Sequence, residues 1–109
     1  MNGFRGGFGG GNMQSIMRQA QKMQEDLAKA QEELKNSEVE GTAGGGMVVV
    51  KMSGDKEFQS IKLKKEAVDP DDIEMLEDLI KVAILDATKK AEELSADKLG
   101  AFGNLGGLI

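Results

Sequence analysis

Only Asp, Glu, Lys, Arg, Ser and Thr are available for chemistry in this chain of 109 residues, which has no His, Cys, Tyr or Trp. Without imidazole or thiolate, no nucleophile–base pair and no metal-ligand spacing can be assembled by motif. Asp69-Pro70-Asp71-Asp72 sets carboxylates in a row, but it lacks the loop spacing and glycine of a calcium hand. Capping of a following helix accounts for those residues. Gly44-Gly45-Gly46 is followed by a strand-forming run rather than Gly-Lys-Ser/Thr, so it reads as a hairpin turn and not as a phosphate loop. No catalytic residue, metal ligand or cofactor is assigned, and the chain is not expected to be an enzyme.

The remaining chemistry is charge, and its distribution says more than its sum. The formal net charge is −5, which argues against indiscriminate polyanion binding. Yet from Met1 to Gln24 the bases are Arg5, Arg18 and Lys22, with no acid at all, whereas Glu66 to Asp78 holds seven acids and no base. On a helix, Arg18, Lys22 and Lys29 share one face, because spacings of four and eleven are both near whole turns. Two readings of that face stand. It is a phosphate-contacting stripe, or it is a solvated face tied by Glu25–Lys29 and Lys29–Glu33 pairs at i,i+4.

The element that positions these bases is the first helix. Met13, Ile16, Ala20, Met23, Leu27, Ala30 and Leu34 recur at alternating spacings of three and four, a heptad a/d seam free of Gly and Pro up to Asn36. At about 1.5 Å per residue such a helix is roughly 35 Å long, more than a chain of this size needs for its own core. An amphipathic helix lying on its own sheet would explain the stripe but not the length, so a self-associating helix is expected on the seam. Residues 1–12 are glycine-rich and read as a flexible tail, with Phe4 and Phe8 as anchors. The ordered domain is placed at 13–94. A second glycine-rich tail is placed at 95–109, where Leu99, Phe102 and Leu105 can dock locally.

Between the helices, three strands are predicted: Val39 to Ala43, then Met47 to Met52 after the triple glycine, then Phe58 to Lys64 after the turn Ser53-Gly54-Asp55-Lys56. In the third, Ile61 and Leu63 alternate with Ser60, Lys62 and Lys64, so one face should point inward. A second helix starts with Asp69 as N-cap and Pro70 in the first position. Its apolar residues, including Ile73, Leu76, Leu79, Ile80, Ala83 and Val82, exceed what one packed side requires and are assigned to a dimer interface. The fold class is α+β, a small antiparallel sheet with a long N-terminal helix. The start of the chain shows no apolar signal-peptide core and Met47–Val50 is too short to span a bilayer, so a cytoplasmic location without membrane contact is expected.

Three stretches resemble the YbaB/EbfC family of bacterial nucleoid-associated proteins. Met17-Arg18-Gln19-Ala20-Gln21-Lys22-Met23-Gln24 is similar to its glutamine-rich first helix, and Ala43 through Gly54 to its glycine turn, strand and following turn. Asp71 through Ile80, with an intact Glu-Met-Leu-Glu-Asp-Leu run, is the most specific piece, and Ala83, Asp86, Ala87 and Lys90 continue it. The resemblance implies an α-β-β-β-α subunit and an intertwined homodimer whose first helices project like tweezer arms. It also implies binding of double-stranded DNA, altered DNA conformation, a place in the nucleoid and effects on gene expression.

By the resemblance, Arg18 and Lys22 match the DNA-binding first-helix motif and Lys90 a basic position of the last helix. Lys29 and Lys89 are added by proximity. Leu85 departs from the small polar residue usual before Asp86, which puts any polar role there in doubt. The rival reading is a protein–protein adaptor for replication or recombination proteins, with DNA binding incidental.

Overall fold

The computed structural model describes the backbone of residues 2–102 and the side chains of residues 12–100 and 102. The element order is α1 (Asn2–Asn36), β1 (Glu38–Ala43), β2 (Val48–Ser53), β3 (Phe58–Leu63), a 3-10 turn (Lys65–Ala67), α2 (Ile73–Leu99) and a closing 3-10 turn (Gly100–Phe102). The α-β-β-β-α order is the one expected. Two boundaries differ. Helical backbone begins at Asn2 rather than Met13, since glycine raises the cost of a helix by about 1 kcal/mol per residue without forbidding it, and no proline intervenes. At the other end α2 runs to Leu99 rather than Leu94, and Leu99 and Phe102 are half-buried. Phe4, Phe8 and Leu105 fall outside the described side chains.

The three strands form one antiparallel sheet in the order β1-β2-β3. Gly44, Gly45 and Gly46, at φ of 63°, 67° and 93°, make the β1–β2 turn in a backbone region that L side chains rarely occupy. Between β2 and β3 the register slips: Lys51 faces Ser60 but Met52 faces Phe58, leaving Gln59 as the extra residue of a bulge. The Ser53–Lys56 turn is closed from Lys56 N–H to Ser53 C=O at 3.0 Å, and the buried Ser53 hydroxyl accepts from the Glu57 amide at 2.9 Å.

The second helix starts later than its sequence suggests. Asp69 Oδ1 accepts from the Asp71 amide and Asp69 C=O from the Asp72 amide, each at 2.9 Å, so Pro70 lies in a turn rather than in the helix. With Asp69 engaged in that turn, the cap is Asp72, whose Oδ1 accepts from Met75 N–H at 3.1 Å.

Ala83, Ala87 and Ala91 recur at i+4 and form the buried stripe by which α2 lies on β1 and β2. They meet Ala43, Val48, Val50 and Met52 in the core, with Val39, Met47, Leu76, Leu79 and Ile80 packed around them. The approach is so close at Gly41 that a Cβ there would stand 2.2 Å from Ala83 O and 2.3 Å from Ala87 N. Because α2 covers β1 and β2, the inward face of β3 stays open. Ile61 and Leu63 share a face with their buried partners Val50 and Val48, as their alternation predicts, yet they are 38% and 43% exposed, and Phe58 53%.

Candidate nucleic-acid interface

Among the described residues, α1 meets the rest of the chain at its C-terminal turns. Every residue from Asn12 to Asp26 is exposed, Leu27 and Ala30 are half-buried, and Leu34 is 3% exposed. Leu34 packs beside Gly54 and Leu94, and its carbonyl accepts from the Gly54 amide at 2.9 Å. The heptad seam is thus divided: its last three members dock on the body, whereas Met13, Ile16, Ala20 and Met23 remain uncovered along a free arm.

Arg18 and Lys22 stand on that arm, and Lys29 lies just above its base, all three exposed. At about 100° per residue they cluster on the side of α1 roughly opposite the seam, so a partner on the seam leaves them facing outward. Among the described residues no ion pair engages Arg18, Lys22, Lys29 or Lys89. The acids from Asp69 to Asp78 gather far from the arm's base, whereas Glu32 and Glu33 stand at it. Glu74, in the first turn of α2, is about 30 Å along that helix from Leu94, where α1 docks. The Debye length at physiological salt is about 8 Å, so the acidic end barely weakens the field at the arm.

Lys90 is placed differently from what the sequence suggests. Its Nζ sits 3.2 Å from Asp86 Oδ2 and donates to Glu40 C=O at 2.8 Å, which fastens it to the outer edge of β1. The amide of Thr42 and the ammonium of Lys90 hold the Asp86 carboxyl below its ordinary range. Lys89, one residue before Lys90, is exposed and stands about 140° around α2 from Leu94, at which α1 docks.

Lys98 is a base that no sequence motif singles out. It reaches from the end of α2 to Glu33 near the end of α1, Nζ to Oε2 at 3.2 Å. No local signal marks it, since the two residues are 65 positions apart. Among the described residues no group of three His, Cys, Asp or Glu side chains is arranged to hold a metal ion, Asp69 to Asp78 included.

Of the residues assigned to a dimer interface, Ile73 and Val82 are exposed and free for a partner. Leu76, Leu79 and Ile80 are half-buried against the subunit's own core. Ala83 is a correction. It is fully buried beneath Gly41 and faces the sheet, not a second subunit.

Residues 9–107 match the model of the YbaB/EbfC DNA-binding family. The chain belongs to that family. A nucleoid-associated protein of Ruminiclostridium cellulolyticum is 50% identical over 107 residues, covering 97% of this chain and 93% of the relative. One from Clostridium botulinum is 52% identical over 109 residues, covering 98% and 96%. An uncharacterized Helicobacter pylori protein shares the fold, with a TM-score of 0.67 over 83% of this chain and 92% of that one, at 24% identity. Membership agrees with the α-β-β-β-α order and supports DNA as a partner of the protein. Among the described residues no helix is long and apolar enough to cross a membrane.

Proposed function

We propose that this YbaB/EbfC protein binds double-stranded DNA as a homodimer, through cations on its helical arms and largely without sequence preference, at the nucleoid in the cytoplasm. The observation that carries the reading is the arm itself: Arg18 and Lys22 stand on an exposed helix, outside any described ion pair and remote from the acidic run Asp69 to Asp78 at the start of α2. Phosphate contacts of this kind fix a protein's position and carry no base information, so any preference arises from DNA shape. Altered DNA conformation, nucleoid organisation and changed gene expression follow from arms that grip the backbone in pairs. The reading uses neither metal nor nucleotide and assigns no catalytic step.

The homodimer is supported by apolar surface left open in the single chain: Phe58, Ile61 and Leu63 on β3, with Ile73, Val82 and Ile84 on α2. A second copy would cover them and double the arms. The interface proposed here differs from the sequence assignment in drawing on β3 and leaving Ala83 inside the subunit.

A mobility-shift titration of plain duplex at two salt concentrations tests the reading, with and without chelator. A saturable, salt-weakened shift that persists in EDTA is expected. The adaptor reading keeps one observation in its favour: Asp69, Asp71, Asp72, Glu74, Glu77 and Asp78 are all exposed and form an acidic surface suited to a basic protein. It predicts no saturable shift.

A further inference from the structure

We infer that Lys98 is a DNA-phosphate contact masked by Glu33, and that it carries the cationic face of the arm past the point where α1 turns acidic. The inference rests on the DNA-binding reading and adds to it a residue from α2 and a built-in competitor.

Arg18, Lys22 and Lys29 follow one another along one side of α1, about 6 Å and then about 10 Å apart along the axis. Glu25 interrupts that side one turn before Lys29, and one turn beyond Lys29 it offers Glu33, a carboxylate where a phosphate-binding line needs a cation. α2 corrects this by placing Lys98 Nζ 3.2 Å from Glu33 Oε2. Lys29 and Lys98 then line one open cleft of about 530 Å³, with Glu32, Glu33, Asn36 and Ser37 as its remaining walls. A phosphate entering that cleft would meet both lysines, since Lys29 and Lys98 line it together.

Glu33 is the weaker claimant. Its side chain is 63% exposed and that of Lys98 31%, so the pair is screened by water and salt and contributes little to holding Lys98. A DNA phosphate arrives with the field of its whole backbone and is already anchored by the arm, so Lys98 can leave the carboxylate for it. Until then Glu33 neutralises Lys98 and repels the incoming anion. Removing either partner breaks the same ion pair, but the two losses should act on DNA with opposite sign. A bridge that only braced the arm would make them act alike.

The test is an anisotropy titration of a short mixed-sequence duplex with the full chain, over a range of salt. Wild type is compared with Glu33→Gln, Lys98→Ala and Lys98→Arg, each checked for a native thermal melt. Glu33→Gln is expected to bind about two- to fivefold more tightly, the equilibrium worth of an exposed pair. Lys98→Ala is expected to bind more weakly, with a log K against log salt slope smaller by about 0.9 per lost contact, and Lys98→Arg to match wild type. Weakening by both Glu33→Gln and Lys98→Ala, or an unchanged slope in Lys98→Ala, overturns the role of Lys98 while DNA binding stands. A wild-type chain that does not bind duplex at all overturns the DNA reading and this inference together.

Discussion

Asp86 Oδ2 accepts a hydrogen bond from the backbone amide of Thr42 at 3.0 Å, so a side chain of α2 completes the outer edge of β1. Lys90, one turn on, takes the Glu40 carbonyl on the same edge. Two backbone groups that an edge strand would otherwise offer to another chain are thereby occupied from within the subunit. Among the described residues, the opposite edge, β3, has no such cover.

This tie titrates. Because Asp86 is held below its ordinary range, its charge contributes stability that is fully present above the unfolded value of about 3.9 and is lost as the pH falls from there through the folded value. Thermal melts of wild type and Asp86→Asn should therefore differ at neutral pH and converge in acid. A melting difference that does not change with pH would show that the charge plays no part in the tie.

Gly41 is the point of closest approach between sheet and helix. In Gly41→Ala the added Cβ meets the backbone of Ala83 and Ala87, atoms that cannot rotate aside. The cost should reach the top of the roughly 1–3 kcal/mol range for overpacking, or exceed it. Urea unfolding measures it, and a variant as stable as wild type would mean that α2 sits further from β1 than described.

The dimer is best tested on β3. Leu76 and Ile80 help to form the subunit's own core, so charged residues there would confound folding with assembly. Leu63 is 43% exposed in the single chain, and Leu63→Lys should lower the mass seen by light scattering from about 23 kDa, twice the chain's 11.6 kDa, toward one chain. If assembly and folding are coupled, cooperative unfolding at low concentration is lost as well. Retention of a wild-type dimer would remove β3 from the interface.

Arm and edge lysines should separate cleanly. In a dimer, Arg18→Glu with Lys22→Glu removes up to about four phosphate contacts, lowering the salt slope by up to about 3.6 and the affinity by well over tenfold at low salt. Lys90→Ala should instead lower the melting temperature more than it changes DNA affinity, because Lys90 is fastened to Asp86 and Glu40. Lys62→Glu on the solvent side of β3 is the appropriate surface control, since Lys56 is paired with Glu92 at 3.1 Å and adopts a φ of 69°. A double arm variant that binds like wild type would move the DNA site off α1.

What the sequence determined by itself is local. The heptad seam, the triple glycine, the β-branched run Val48-Val49-Val50 and the alternation of Ile61 and Leu63 each encode their element in a few neighbouring residues, so the α-β-β-β-α order was legible. The basic arm was legible for the same reason, Arg18 and Lys22 being one turn apart. Even the misplaced cap was a local matter, settled when Asp69 closed a turn and left the helix to Asp72. Tertiary structure decided the rest. Ala83 went to the core because Gly41 lets the helix approach, and Lys90 was drawn to a strand edge 50 residues away. Lys98 was brought to Glu33 across 65 residues. Helical periodicity says which residues share a face of one element. It cannot say which face another element will cover, because that depends on the packing of surfaces far apart in the chain.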